Sequence, residues 1–303
     1  MNKLFITLFT LVVVVLTGCN KDPEIIGGNN PPDYTKISTI KMQNYVNRMF
    51  IDLVSREPLD VEMDENVNLL RSNNLSVNAR RQIIQKLQNS TDSVFGDGSY
   101  RKAYSQYMYN LAKVRTIEGA SDEDINMRIG NIVFGMKEDS LLGDWESYNK
   151  GLLEKNNLQS ILDTKVQFFD GQIPYDVFFS RMVNNSIYDF IHMNTFNFVN
   201  STFEDLLWRF PTSTEFLVGF DIVEYNKPNL FFNKLCTNKK EYVDAICDTN
   251  EFFEGMIIWC YRTLLSREPK SQETSEILGE YILNRDIRKI QEKIMITDEY
   301  ANF

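Results

Sequence analysis

The sequence predicts an all-α fold, a multi-helix bundle, on three observations. Apolar residues recur at spacings of three and four along most of the chain, the period of a one-sided helix. No proline falls between Pro58 and Pro174, as a helix-rich stretch requires. Extended patterning is confined to short pieces near residues 166–169 and 216–223, too little for a sheet.

The first eighteen residues stand apart. Lys3 supplies a positive start, Leu4 to Leu16 an apolar run, and small residues precede Cys19. The run is too short to span a bilayer unless continued, and Asn20-Lys21-Asp22-Pro23 ends it. This segment resembles a bacterial lipoprotein signal, which implies cleavage before Cys19 and lipidation of its thiol. Residues 19–36 then read as a flexible tether around Gly27-Gly28-Asn29-Asn30-Pro31-Pro32, with a reach on the order of 20 to 25 Å.

Residues 37–303 read as one large helical domain. Ser38 and Thr39 can cap a helix whose Met42, Val46, Met49, Phe50, Leu53 and Val54 form one face. The same reasoning predicts helices over 60–70, 77–87, 100–114, 122–134, 141–153 and 175–190. Further helices follow over 202–208, 241–247, 252–265, 272–283 and 287–296.

A segment of the first helix recurs. Residues 45–58 and 256–269 align at an offset of 211, with five of fourteen positions identical and both ending Ser-Arg-Glu-Pro. This predicts two related helix-turn-helix modules, about 40–90 and 251–303. The residue before a proline is pushed out of the α region, so each helix should end near the glutamate. Arg56 and Arg267 are expected to meet the last carbonyls of their helices, and Glu57 and Glu268 to face the start of the next, with Pro58 and Pro269 opening the turn. These six residues read as a structural corner.

The ordered patches resemble a known group. An apolar helix ending in Leu-x-x-Arg-x-Pro, the aromatic helix 107–113, the Pro-Tyr-Asp segment 173–179 and the closing Glu299-Tyr300 pair are similar to paired helical domains of unknown function in planctomycete secreted proteins. Those domains are often fused to cytochrome c modules. The resemblance implies helical architecture and export, and no established activity. No Cys-x-x-Cys-His occurs, so no attached haem is expected, and residues 119–169 fall outside the resemblance. Asn20 to Glu24 resembles the acidic signals that carry Bacteroidota lipoproteins to the outer face of the outer membrane; a periplasm-facing domain is the alternative.

Chemistry is sparse. One histidine, His192, and scattered cysteines offer no metal constellation, and no cofactor is expected. Phosphate loops, a serine elbow and a calcium-loop ladder are all missing from the sequence. Cys236 and Cys247 could bridge in an oxidising compartment, but a helix over 239–243 would hold them apart. Cys260 lies on an apolar stripe and reads as a buried thiol. Asp176, Glu204 and Asp205 are the first carboxylates to test for hydrolytic chemistry, but solvated helix-end charge is the favoured reading and no catalytic residue is assigned.

Net charge of -10 argues against nucleic acid as a partner. Dense aromatics around Tyr104, Tyr107 and Tyr109, and from Phe196 to Phe210, suit either core or a binding platform. The expected function is a non-catalytic outer-membrane lipoprotein, held to the bilayer through Cys19 and acting as an assembly or interaction component of the cell envelope with a protein partner. The alternative is a surface glycan-binding lipoprotein.

Overall fold

A computed structural model describes residues 34–96 and 98–303. The signal, Cys19 and the tether up to residue 33 lie outside the described residues. Within residues 1–36 the described part is one 3-10 turn, Tyr34–Lys36. Residues from Ile37 onward form one unit of fifteen described helices and two short hairpins, all-α as its periodicity implied.

The first module starts with α1, Thr39–Val54, whose N-terminus is capped by the Ser38 hydroxyl. Its buried stripe comprises Met42, Tyr45, Val46, Met49, Phe50, Leu53 and Val54. Each large apolar side chain so buried contributes about 1.5–3 kcal/mol. Then come α2, Asp60–Ser72, and α3, Val77–Asn89. Strands β1, Ser93–Val94, and β2, Gly98–Ser99, pair antiparallel and lead into α4, Tyr100–Ile117.

The centre is a long hairpin of α5, Asp122–Leu142, and α6, Trp145–Phe169. Gly143 ends α5 in the left-handed region and the Asp144 side chain caps α6, so the turn is two residues long. After it come α7, Tyr175–Val183, and α8, Ser186–His192. The expected single helix over 175–190 is broken by Asn185. Its buried amide donates to the carbonyls of Arg181 and Met182 and its oxygen accepts from the N–H groups of Ile187 and Tyr188, closing one helix and opening the next.

The second half contains α9, Thr195–Leu207, α10, Ser213–Tyr225, strands β3, Asn229–Phe231, and β4, Lys234–Cys236, and α11, Lys239–Cys247. Helices α12, Asn250–Leu265, α13, Ser271–Asn284, α14, Ile287–Met295, and α15, Asp298–Ala301, complete the chain. Neither expected extended piece exists. Residues 166–169 are the last turn of α6, and 216–223 belong to α10, where the Thr212 hydroxyl and the Glu215 carboxylate form a capping box.

The two expected modules, α1–α2–α3 and α12–α13–α14, are present, and between them α9–α10–α11 repeat the order helix, corner, helix, helix with the β3–β4 hairpin inserted before α11. The first and last modules interlock. Helix α3 packs on α14, Tyr45 donates to the Met295 carbonyl at 2.8 Å, Arg48 to the Tyr300 carbonyl at 2.8 Å, and Tyr300 to Asp52 at 2.8 Å.

Candidate functional site

The three corners share one geometry. Ser55, Trp208 and Ser266 each end their helix in the left-handed region, and the next residue is the arginine: Arg56, Arg209 or Arg267. Each arginine forks onto the glutamate six residues on. Arg56 meets Glu62 at 2.7 and 2.8 Å, Arg209 meets Glu215 at 2.8 and 2.8 Å, and Arg267 meets Glu273 at 2.8 and 2.7 Å. A second oxygen role of that glutamate is to accept the N–H of Leu59, Thr212 or Lys270, just before the next helix. Charge-assisted forks of this kind fix angle as well as energy.

Two corners extend further. Arg209 also reaches Glu251, and Arg267 reaches Glu299 at 2.6 and 2.7 Å; both acids open the helix that follows the module. The arginine fork, helped by the N–H of Thr212 or Lys270, holds the Glu215 and Glu273 carboxyls down at about 2. This corrects the expected roles. Arg56 and Arg267 lie outside the helix and point forward onto Glu62 and Glu273, not back at the last-turn carbonyls. Glu57 is exposed, and Glu268 pairs with Arg262 at 2.6 Å. Pro58, Pro211 and Pro269 occupy the position before each N-cap. The corners are architecture: each joins two helices through an internal ion pair.

The α5–α6 hairpin presents an exposed surface. Helix α5 has 21 residues but buries only Ile125 and Met136, and α6 is its main packing partner. Ile125, Ile129, Ile132 and Met136 face α6, where Gly151 leaves no room for a Cβ beside Met136. On another face Met127, Phe134 and Leu141 recur every seven residues and are 64, 66 and 79 % exposed. Leu142 and Trp145 are also exposed at the tip. At helical rise these three stand about 10 Å apart, with Asn131, Lys137 and Glu138 between them, so they present separate apolar anchor points on one face.

A polar groove lies on a different face. A cleft of about 580 Å³ opens at α7, the end of α11 and Arg285. A second of about 390 Å³ adjoins it, with Asn157, Asn184 and Lys240 lining both. At its floor Arg285 donates to Asp176 Oδ2 and to Asp248, each at 2.5 Å, while Lys234 also pairs with Asp248. Asp176 is buried, and its Oδ1 accepts no hydrogen bond. Arg181 is the converse: its Nη1 donates to the neutral acceptors Gln167, Thr164 and the Ser160 carbonyl. Burial pushes its guanidinium pKa down, with Asp163 opposing.

The other singled-out residues scatter. Asp205 accepts from the Tyr188 hydroxyl at 2.9 Å, and burial raises its carboxyl to about 6. Glu204 is exposed and Asp176 sits in the groove, so the three carboxylates share no cleft among those described. His192 is half-buried with its ring 4.2 Å from Tyr188, and burial lowers its pKa. Tyr104 and Tyr109 are buried and Tyr107 is partly so; Phe198 and Phe203 are core, while Phe196 and Phe210 are exposed.

Cys236, Cys247 and Cys260 are all buried free thiols. The bridge between Cys236 and Cys247 is not formed: Cys236 ends β4 and Cys247 is the last residue of α11, with the length of that helix between them.

The sequence pattern Leu-x-x-Arg-x-Pro-x-x-x-Glu, if followed to its glutamate, finds the corner at 206–215 that the Ser-Arg-Glu-Pro tetrad misses. The groove has no such linear signal, since its residues come from α6, α7, α8, β4 and α11 and from Arg285 after α13. Comparison with known proteins finds no matching family model, no matching curated protein and no matching solved structure.

Proposed function

We propose that this chain is a non-catalytic outer-membrane lipoprotein, anchored through Cys19, that joins a cell-envelope assembly through the α5–α6 arm. The observation that carries this reading is the seven-residue recurrence of Met127, Phe134 and Leu141 on a helix that buries two side chains in 21. Three apolar side chains about 10 Å apart, with small or polar residues between them, suit separate pockets on one partner face, as anchor residues do. The expected partner is an envelope protein presenting such a face. The rigid modules at either side supply a fixed base, so the arm need not order on binding.

Site-specific photo-crosslinking in cells tests this. A crosslinker at position 134 or 141 should trap one defined envelope protein, and one at Gln272 on α13 should not. Phe134→Glu together with Leu141→Glu should release the chain from that complex while its circular dichroism stays unchanged. Intact complexes with the double variant would overturn the reading. Cys19→Ser should move the protein out of the membrane fraction, and unchanged fractionation would remove the anchor from the proposal.

A further inference from the structure

The groove between the first half of α6 and α11 carries a second, independent inference. Two kinds of unspent polar group line it. Arg181 lines the larger cleft with no carboxylate at ion-pair distance among the described residues. Asn157 and Asn184, at the junction of the two clefts, spend no side-chain hydrogen bond on the described residues. Asp176 Oδ1 also lacks a donor, but it is sealed from solvent and lies out of a ligand's reach.

We propose that this groove binds an acidic oligosaccharide of the uronic acid class. Ring hydroxyls exchange hydrogen bonds with the Asn157 and Asn184 amides, which both donate and accept as hydroxyls do. The ligand's carboxylate pairs with Arg181, whose planar fork suits it.

Shape and charge narrow the class. Along α6 the lining runs from Lys150 to Ser160, about 15 Å at helical rise, which suits a chain of rings and leaves a single amino acid most of the groove empty. Six cations line the two clefts against five carboxylates, in a chain whose net charge is -10. The groove therefore lacks the repulsion that the rest of the surface presents to an anion. A neutral sugar would satisfy the amides but leave Arg181 without its counter-charge.

Isothermal titration of the full-length chain in detergent, with a short oligogalacturonate, tests this. Binding is expected, with a neutral β-glucan oligosaccharide at least tenfold weaker and free glutamate silent. Arg181→Gln should weaken binding about tenfold or more, the loss of one charge-assisted contact. Asn157→Ala, at a side chain with no internal bond to lose, should weaken it about threefold to tenfold and keeps the test open if the buried variant fails to fold. No heat with oligogalacturonate, equal affinity for the neutral chain, binding of free glutamate instead, or affinity unchanged in Asn157→Ala would each overturn the assignment.

Discussion

Arg209→Leu offers the sharpest test of how the domain holds its angles. The substitution keeps an apolar stem over Phe203 but removes the fork onto Glu215 and the contacts to Glu251. Glu215 is held at about 2 against an ordinary 4.5, which at 1.36 kcal/mol per pK unit sets an upper bound of about 3 kcal/mol. The side chains are 32 and 23 % exposed, so solvent screening brings the expected loss to about 2 kcal/mol. That is well above a surface ion pair and well below the removal of a core residue. Urea unfolding of the wild type, Arg209→Leu, Glu215→Gln and the double variant gives the coupling directly. A value of about 1–2 kcal/mol is expected; coupling below about 0.5 kcal/mol would refute the claim that the fork, and not helix burial alone, sets the corner.

Three further outcomes follow from the same geometry. Because Glu215 and Glu273 sit below their unfolded values, their stabilisation is complete above about pH 4.5 and is lost as pH falls toward 2; acid titration by circular dichroism should show it, and Arg267→Leu should unfold at higher pH than the wild type. Gly255→Ala should destabilise by about 2 kcal/mol despite its better helix propensity, since a Cβ there lies 2.6 Å from the Leu206 carbonyl; a neutral or stabilising result by thermal melting would contradict that approach of α12 to α9. Cys236, Cys247 and Cys260 are buried with raised pKa values, so native protein at pH 8 should resist iodoacetamide and urea-unfolded protein should take up one label on each; an intact mass two daltons low, or rapid native labelling, would refute three inaccessible thiols.

Most helices were legible because their apolar faces repeat at helical spacing. Two errors share a cause. Residues 216–223 are apolar on every side, so periodicity cannot separate strand from helix there, and only the Thr212–Glu215 capping box decides. The break at Asn184-Asn185 is likewise made by one side chain capping two helix ends, a local bond that averaged hydrophobicity does not register. At the corners the arginine was recognised but its partner was not. Residue types adjacent in sequence suggested Glu57 and Glu268, whereas the left-handed residue before each arginine turns the chain and brings the sixth residue into reach. The groove was illegible because nothing in sequence announces which polar groups fold without a partner.

The meeting of first and last helices has a practical corollary. Lys41 donates to the Asn302 carbonyl at 3.0 Å, and the rings of Tyr45 and Phe303 are 5.3 Å apart, so the domain's two ends are neighbours. A short linker can join Phe303 to Ile37, and new termini can be cut at Gly143 on the arm's tip without opening the core. Such a circular permutant would begin and end at the arm's tip, so anything fused to it would meet the same fold from the α5–α6 turn instead of from α1.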